Sequence, residues 1–149
     1  MIALVQKVSK AQVIVEGKAI GKIGEGLVIF AGIFSDDSMK DLEYCARKCA
    51  ELRIFPDEAG YMNLSLEDVG GQMLVISNFT LCARVRKGRR PSFDKAMKPP
   101  KSEEMVDVFI GLLKDRGIDV QEGKFGAHMD VELTNDGPIT IIVDSREKR

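Results

Sequence analysis

Ser77 and Thr80 bracket Asn78 and Phe79 at the end of an apolar run, Met73-Leu74-Val75-Ile76, and the cations Arg84, Arg86, Lys87, Arg89 and Arg90 follow directly. Backbone N–H groups that leave a sheet ladder at a polar turn lose their ladder partner and become available to a ligand oxygen. Hydroxyls and such donors next to a cluster of cations suit an anionic ligand. Taken singly, Ser77 to Thr80 also reads as a strand terminus with local hydrogen bonds, and the basic stretch as a solvated loop. His128 is the only histidine, in a stretch that reads as strand. A Ser-His or Cys-His pair would need it to reach Ser77, Thr80 or Cys82. The sequence has neither HExxH nor a tight cluster of His with carboxylates, and no GxxxxGK phosphate loop. An enzyme made from these residues has few proton-moving groups of its own.

The elements that must position these residues are mostly strands. Residues 2–15, rich in β-branched side chains, turn at Glu16-Gly17 and return over Ala19 to Ile23 as a β-hairpin. Leu27 to Phe34 is continuously apolar, as in a strand covered on both faces. Ser35 or Asp36 is then expected to cap a helix whose stripe is Met39, Leu42, Cys45, Cys49 and Leu52. Arg53-Ile54-Phe55 and Met62 to Leu66 read as short strands around a Pro56 to Gly60 turn, and 72–77 as the central strand. Pro99-Pro100 and Ser102 open a second helix with the stripe Met105, Val108, Phe109, Leu112 and Leu113, closed by Lys114, Arg116 and Gly117. Strands are expected over Asp119 to Gly123, Ala127 to Thr134 and Ile139 to Val143, the last two joined by a hairpin turn at Asn135-Asp136-Gly137-Pro138.

Length and composition bound the rest. A chain of 149 residues, 44% hydrophobic and 30% charged, with net charge -1, is expected to be one soluble domain over 1–149. Cys45, Cys49 and Cys82 form no disulfide framework and no zinc spacing, which points to a reducing, cytoplasmic compartment. Cys45 and Cys49 share the core face of the first helix and are given no metal role. No run is long and apolar enough to cross a bilayer, and the N-terminus has no secretory apolar segment.

Read together, Ser77-Asn78-Phe79-Thr80-Leu81 and Asn135-Asp136-Gly137-Pro138-Ile139-Thr140 resemble the paired signature motifs of the D-aminoacyl-tRNA deacylases. Val5-Gln6-Lys7-Val8, Leu52-Arg53-Ile54-Phe55, Met62-Asn63-Leu64-Ser65, the segment from Arg86 to Phe93 and Gly123-Lys124-Phe125-Gly126-Ala127 extend the likeness over essentially the whole chain. The resemblance implies an α+β fold with a compact β-barrel-like sheet and two main helices. It implies a homodimer with active sites at the subunit interface, and hydrolysis of the ester between tRNA and a D-amino acid or glycine. On this likeness Ser77, Phe79 and Thr80 are the catalytic set, with the Phe79 and Thr80 N–H groups holding the ester carbonyl oxygen. Asn78, Met129, Gly137 and Pro138 bind the substrate. Gly137-Pro138 is expected as a cis peptide from the partner subunit, its carbonyls holding the α-amino group and its backbone excluding an L side chain.

No cofactor, metal, DNA or membrane partner is implied; aminoacyl-tRNA is, with Arg84, Arg86, Lys87, Arg89 and Arg90 meeting its phosphates. The missing base is tolerable because the terminal ribose carries a hydroxyl beside the ester that can help orient water. Two positions depart from the pattern: Asn78 stands where the family usually has Gln, and Lys7 where it usually has Arg. The competing readings are a tRNA-binding module of the same fold without catalysis, and a thiol hydrolase using Cys82 and His128.

Overall fold

Alternation of apolar side chains makes Ile2–Val15 a single long strand, β1, and the remaining strands assemble around it. The computed structural model describes residues 1–86 and 88–147. Along one edge, the first half of β1 pairs antiparallel with β3 (Gly26–Gly32), and the second half pairs with β2 (Lys18–Ile23). Along the other edge it pairs antiparallel with β8 (Asp130–Asp144). β6 (Gln72–Ser77) runs parallel to β3, and β7 (Asp119–Glu122) parallel to β6. The order is therefore β2-β1-β3-β6-β7, with β8 on β1. The sheet curls into a nearly closed barrel: a Cβ on Gly21 of β2 would lie 3.0 Å from the Glu122 carbonyl oxygen of β7, a tight contact that glycine relieves.

Each face of the curled sheet has its own core. Met1, then Ala3 and Val5 of β1, Leu27 and Ile29 of β3, and Met73 and Val75 of β6 pack under helices α1 (Met39–Glu51) and α3 (Lys101–Lys114). Val8, Val13, Val28, Leu74 and Ile76 fill the barrel side. Phe55 and Phe109 are the largest fully buried side chains, each contributing about 2 to 3 kcal/mol by burial. A two-stranded ribbon, β4 (Phe55–Pro56) with β5 (Met62–Leu64), and the short helix α2 (Leu66–Val69) complete the α+β architecture.

Several local expectations change. The first helix is capped by Ser38, beyond the Ser35 or Asp36 that the sequence suggested, because the Ser38 N–H and hydroxyl both donate to Asp41 Oδ2. Asp37 is instead drawn inward, accepting from the Phe34 N–H and the Met1 ammonium, both at 2.6 Å. The strand expected to run from Met62 to Leu66 stops at Leu64, since Ser65 and Asp68 close a reciprocal cap on α2.

The largest change concerns the last two strands. The sequence suggested a hairpin at 135–138, but β8 does not reverse and both arms stay antiparallel to β1. Gln6 pairs with Thr140 and Val8 with Asn135, so residues 136–139 leave the ladder as a bulge. Asn135 Nδ2 closes its mouth, donating to Lys7 O at 2.9 Å and Ile139 O at 3.0 Å. The turn residues thus act on one strand instead of between two. β8 also begins at Asp130, leaving His128 in the preceding loop.

Candidate active site

The donor corner forms where β6 leaves β3. The ladder runs to Ala31 and Ser77, and the Asn78 N–H still donates to Ala31 O at 2.8 Å. The chain then folds into a 3-10 turn, Phe79–Cys82. Asn78 starts it as a short polar cap residue should: its Oδ1 accepts from the Thr80 N–H at 3.2 Å and from the Thr80 hydroxyl. Cys82 is buried and anchors the far end of the turn. As the first residue of the turn, Phe79 has no intrahelical acceptor, and its N–H has none among the described residues. The Thr80 N–H, by contrast, reaches a ligand only by leaving Asn78.

This corner opens on a cavity of about 770 Å³. Ser77, Asn78, Phe79, Thr80 and Met129 all line it, so the structure brings these five sequence-predicted residues together. Phe30 and Ile76, paired across β3 and β6, also face it. Lys98, Pro99, Ser102 and Val106 around the start of α3 also line it, placed there by the topology with no motif to mark them, as do Phe125 to Ala127, from the family-like segment at 123–127, and His128.

The basic stretch lies beside the corner. Arg84 and Ser92 exchange backbone hydrogen bonds at 2.8 and 3.0 Å, closing a loop on which Arg84, Arg86, Arg89 and Arg90 are exposed. Lys87 lies outside the described residues. Phe93, just past the loop, meets Phe79 edge to face with centroids 5.1 Å apart, tying the loop base to the cavity wall.

Gly137 and Pro138 are elsewhere. They form the exposed tip of the β8 bulge and do not line the cavity of their own chain. Their peptide bond is cis, and Gly137 has φ +129°. A Cβ there would stand 2.7 Å from Ile139 N, so the position requires glycine. Lys7 supports the bulge: its nearly buried side chain puts Nζ 2.7 Å from Asp136 Oδ2 and 5.3 Å from the centre of the Phe55 ring. The signal for Lys7 was present, because alternation in β1 sets it on the buried face with Ala3 and Val5. Its Asp136 partner could not be read from spacing.

The thiol hydrolase reading finds no support in this geometry. Burial pushes the Cys82 thiol up to about 11, and the thiol is shut away behind the turn. His128 is almost fully exposed, with Asp130 at 3.6 Å as its charged neighbour.

Known proteins resemble this chain over nearly its whole length. Residues 4–144 match the D-Tyr-tRNA(Tyr) deacylase family. A D-aminoacyl-tRNA deacylase of Thermotoga petrophila is 50% identical over 145 residues, covering 97% of each chain. That of Thermodesulfovibrio yellowstonii is 51% identical over 146 residues, covering 98% of this chain and 100% of the relative. Among solved structures, a c-Myc DNA Unwinding Element Binding Protein superposes with TM-score 0.92 at 38% identity, over 97% of this chain and 98% of that one. A probable eukaryotic D-amino acid tRNA deacylase superposes with TM-score 0.81 at 20% identity, over 96% and 98%, a likeness of fold. With its signature segments in place and a match spanning nearly its full length, the chain belongs to the D-Tyr-tRNA(Tyr) deacylase family.

Proposed function

We propose that this protein hydrolyses the ester that joins a D-amino acid, or glycine mischarged on tRNA-Ala, to the end of a tRNA, and that it works as a homodimer in the cytoplasm. The observation that carries the reading is the open Phe79 N–H at the rim of a cavity whose other walls are largely apolar. A fixed donor at the place where ester oxygen charge develops typically lowers a barrier by about 3 to 4 kcal/mol. The ribose hydroxyl beside the ester then orients water, which makes up for the absence of a protein base.

Selection by handedness requires a wall, and a rigid backbone supplies one where attraction cannot discriminate. Gly137 and Pro138 project from the bulge, outside their own cavity, so the wall for one site comes from a second copy. The exposed sheet face favours that arrangement. Ile142, Leu4, Phe30 and Ile76 are successive partners across β8, β1, β3 and β6. They form one apolar row that begins with Ile142, 58% exposed, and ends in the cavity. A second copy covering this row lies against the cavity mouth. Glycine, lacking a side chain, passes the wall. Three free cysteines among the described residues fit a reducing compartment.

The test is purified protein incubated with one tRNA charged with D-tyrosine or with L-tyrosine. The reading predicts rapid loss of the D ester and survival of the L ester. Survival of both, with tRNA still bound, would make the protein a binding module; equal loss of both would remove the wall.

A further inference from the structure

The nitrogen of Met1 is enclosed in a polar pocket. Its ammonium donates to Asp37 Oδ1 and to Ser145 Oγ, both at 2.6 Å. Ser145 Oγ gives its own proton to Asp41 Oδ1 at 2.8 Å, so toward Met1 it can only accept. The Met1 nitrogen must therefore supply two hydrogens at once. An ammonium has three, whereas an acylated nitrogen has one and carries no charge. The charge matters as much as the count. The Asp37 side chain is 2% exposed, and among the described residues Met1 is its only cationic partner within 4 Å, since Arg146 pairs with Asp36 instead. A buried carboxylate deprived of its cation is strongly destabilising. The Met1 side chain is itself fully buried in the core under the helices, so the residue has to be kept.

The ion pair is tied to one wall of the cavity. Asp37 Oδ2 accepts from the Phe34 N–H at 2.6 Å, and Phe34 pairs with Ala96. Beside them the Ser35 N–H donates to Lys95 O at 2.8 Å and the Met97 N–H to Ile33 O at 2.9 Å. Ile33, Ala96 and Met97 line the cavity. We propose that the α-amino group of Met1 is a processing site: whatever acyl group stands on this nitrogen at synthesis, a formyl group or a preceding residue, is hydrolysed off before the protein reaches full stability and the cavity its final shape. In that step water cleaves the amide C–N bond. Its oxygen goes to the acyl carbon, which leaves as a carboxylate, and both of its protons go to the nitrogen, which becomes the ammonium that Asp37 and Ser145 receive. The co-reactant is a hydrolase of chain ends, a deformylase or a peptidase, acting before the chain folds over the nitrogen.

The test compares the full chain in three forms whose masses are checked: N-formyl-Met1 from bacterial cell-free synthesis with the deformylase inhibited, a form with a protease-removable peptide ahead of Met1, and the free amine obtained from either by hydrolysis. Both blocked forms should melt roughly 6 to 20 °C below the free amine, and hydrolysis should restore the higher melting temperature. D-tyrosyl-tRNA hydrolysis should be about tenfold slower in the blocked forms, through the displaced cavity wall. In Asp37→Asn no buried carboxylate calls for a cation, so formylation should shift melting by less than about 3 °C. Ser145→Ala removes one acceptor and keeps the ion pair; it gives the same comparison in milder form, with the formyl shift cut to about half to three quarters of the parent's. Equal melting of the formyl and free forms would show the ammonium to be idle. A formyl shift undiminished in Asp37→Asn and Ser145→Ala would show that the acyl group merely crowds the pocket; either result overturns the proposal. Melting reads this site whatever the protein hydrolyses, so a free-amine protein inert toward the D ester would sink the deacylase reading alone.

Discussion

The two signature segments are built in opposite ways. Ser77 to Thr80 sits where a buried strand ends, held by the Ala31 carbonyl, by the Asn78 cap and by buried Cys82. Asn135 to Pro138 sits in the middle of a strand, pushed out of register and held by side chains, Asn135 across the mouth and Lys7 on Asp136. The first faces its own cavity and the second faces away from it. A rigid corner needs only the core behind it, whereas a projecting bulge depends on a few polar contacts and on what it projects into. On the proposed reading the donor half of the site is complete in one chain and the wall half is supplied to a second copy. The two halves should respond differently to mutation.

The largest effect is expected at the bulge tip. Gly137→Ala meets a 2.7 Å clash with Ile139 N and a φ that alanine rarely adopts. Turnover of the D ester should fall by about 100-fold or more, while the donor corner, read by Thr80 amide exchange, stays as it was. Lys7→Met should come next. It leaves Asp136 without its cation and loosens the bulge without touching the cavity, so discrimination between D and L esters should fall by about 10- to 100-fold, measured as the ratio of the two rates. A third, smaller effect concerns binding. Neutralising Arg86 and Arg89 should weaken tRNA binding and lower the slope of log affinity against log salt by roughly one to two; an unchanged slope would detach the loop from the RNA. The smallest effect is at Cys82. With its thiol held up at about 11 by burial, Cys82→Ala should leave the rate within about twofold and the pH-rate profile without a lost thiol limb. A collapse of activity would reinstate the thiol reading.

The contrast between the segments also explains what could be read from the sequence. The hairpin of β1 and β2, the buried run of β3, the central strand and the span of α3 follow from local periodicity, and each formed near the expected bounds; the buried face of α3 is turned from the expected stripe, with Val106, Phe109, Ile110 and Leu113 inside and Val108 exposed. The corner was legible because a strand ending in Ser-Asn is a local event. The bulge was half legible: Asn-Asp-Gly-Pro does leave the ladder, but whether the chain then reverses depends on β1, which is remote in sequence and keeps both arms paired. The first helix cap moved for a similar reason. Ser35 and Asp36 are acceptable caps by type, yet the reciprocal partner, Asp41, stands three residues after Ser38. The cavity lining from α3 carried no signal, because those residues meet the corner only through the crossover topology, whereas the loop before β8 was marked by its family-like segment but not as cavity wall.

The central claim is that one catalytic site takes its donors from one chain and its wall from another. Phe79→Pro removes the open N–H at the first position of a helical turn, where proline is tolerated, and keeps the bulge. Gly137→Ala keeps the donors and displaces the bulge tip, and with it both the wall and the carbonyls proposed to hold the substrate's α-amino group. Each variant alone should be nearly inactive on D-tyrosyl-tRNA. Unfolded and refolded together in equal amounts, they should regain about a quarter of the parental activity, since half the dimers are mixed and each mixed dimer has one intact site. Recovery of that size would place the two halves in different chains. No recovery at any mixing ratio, with the mixed dimers shown to form, would contradict the account.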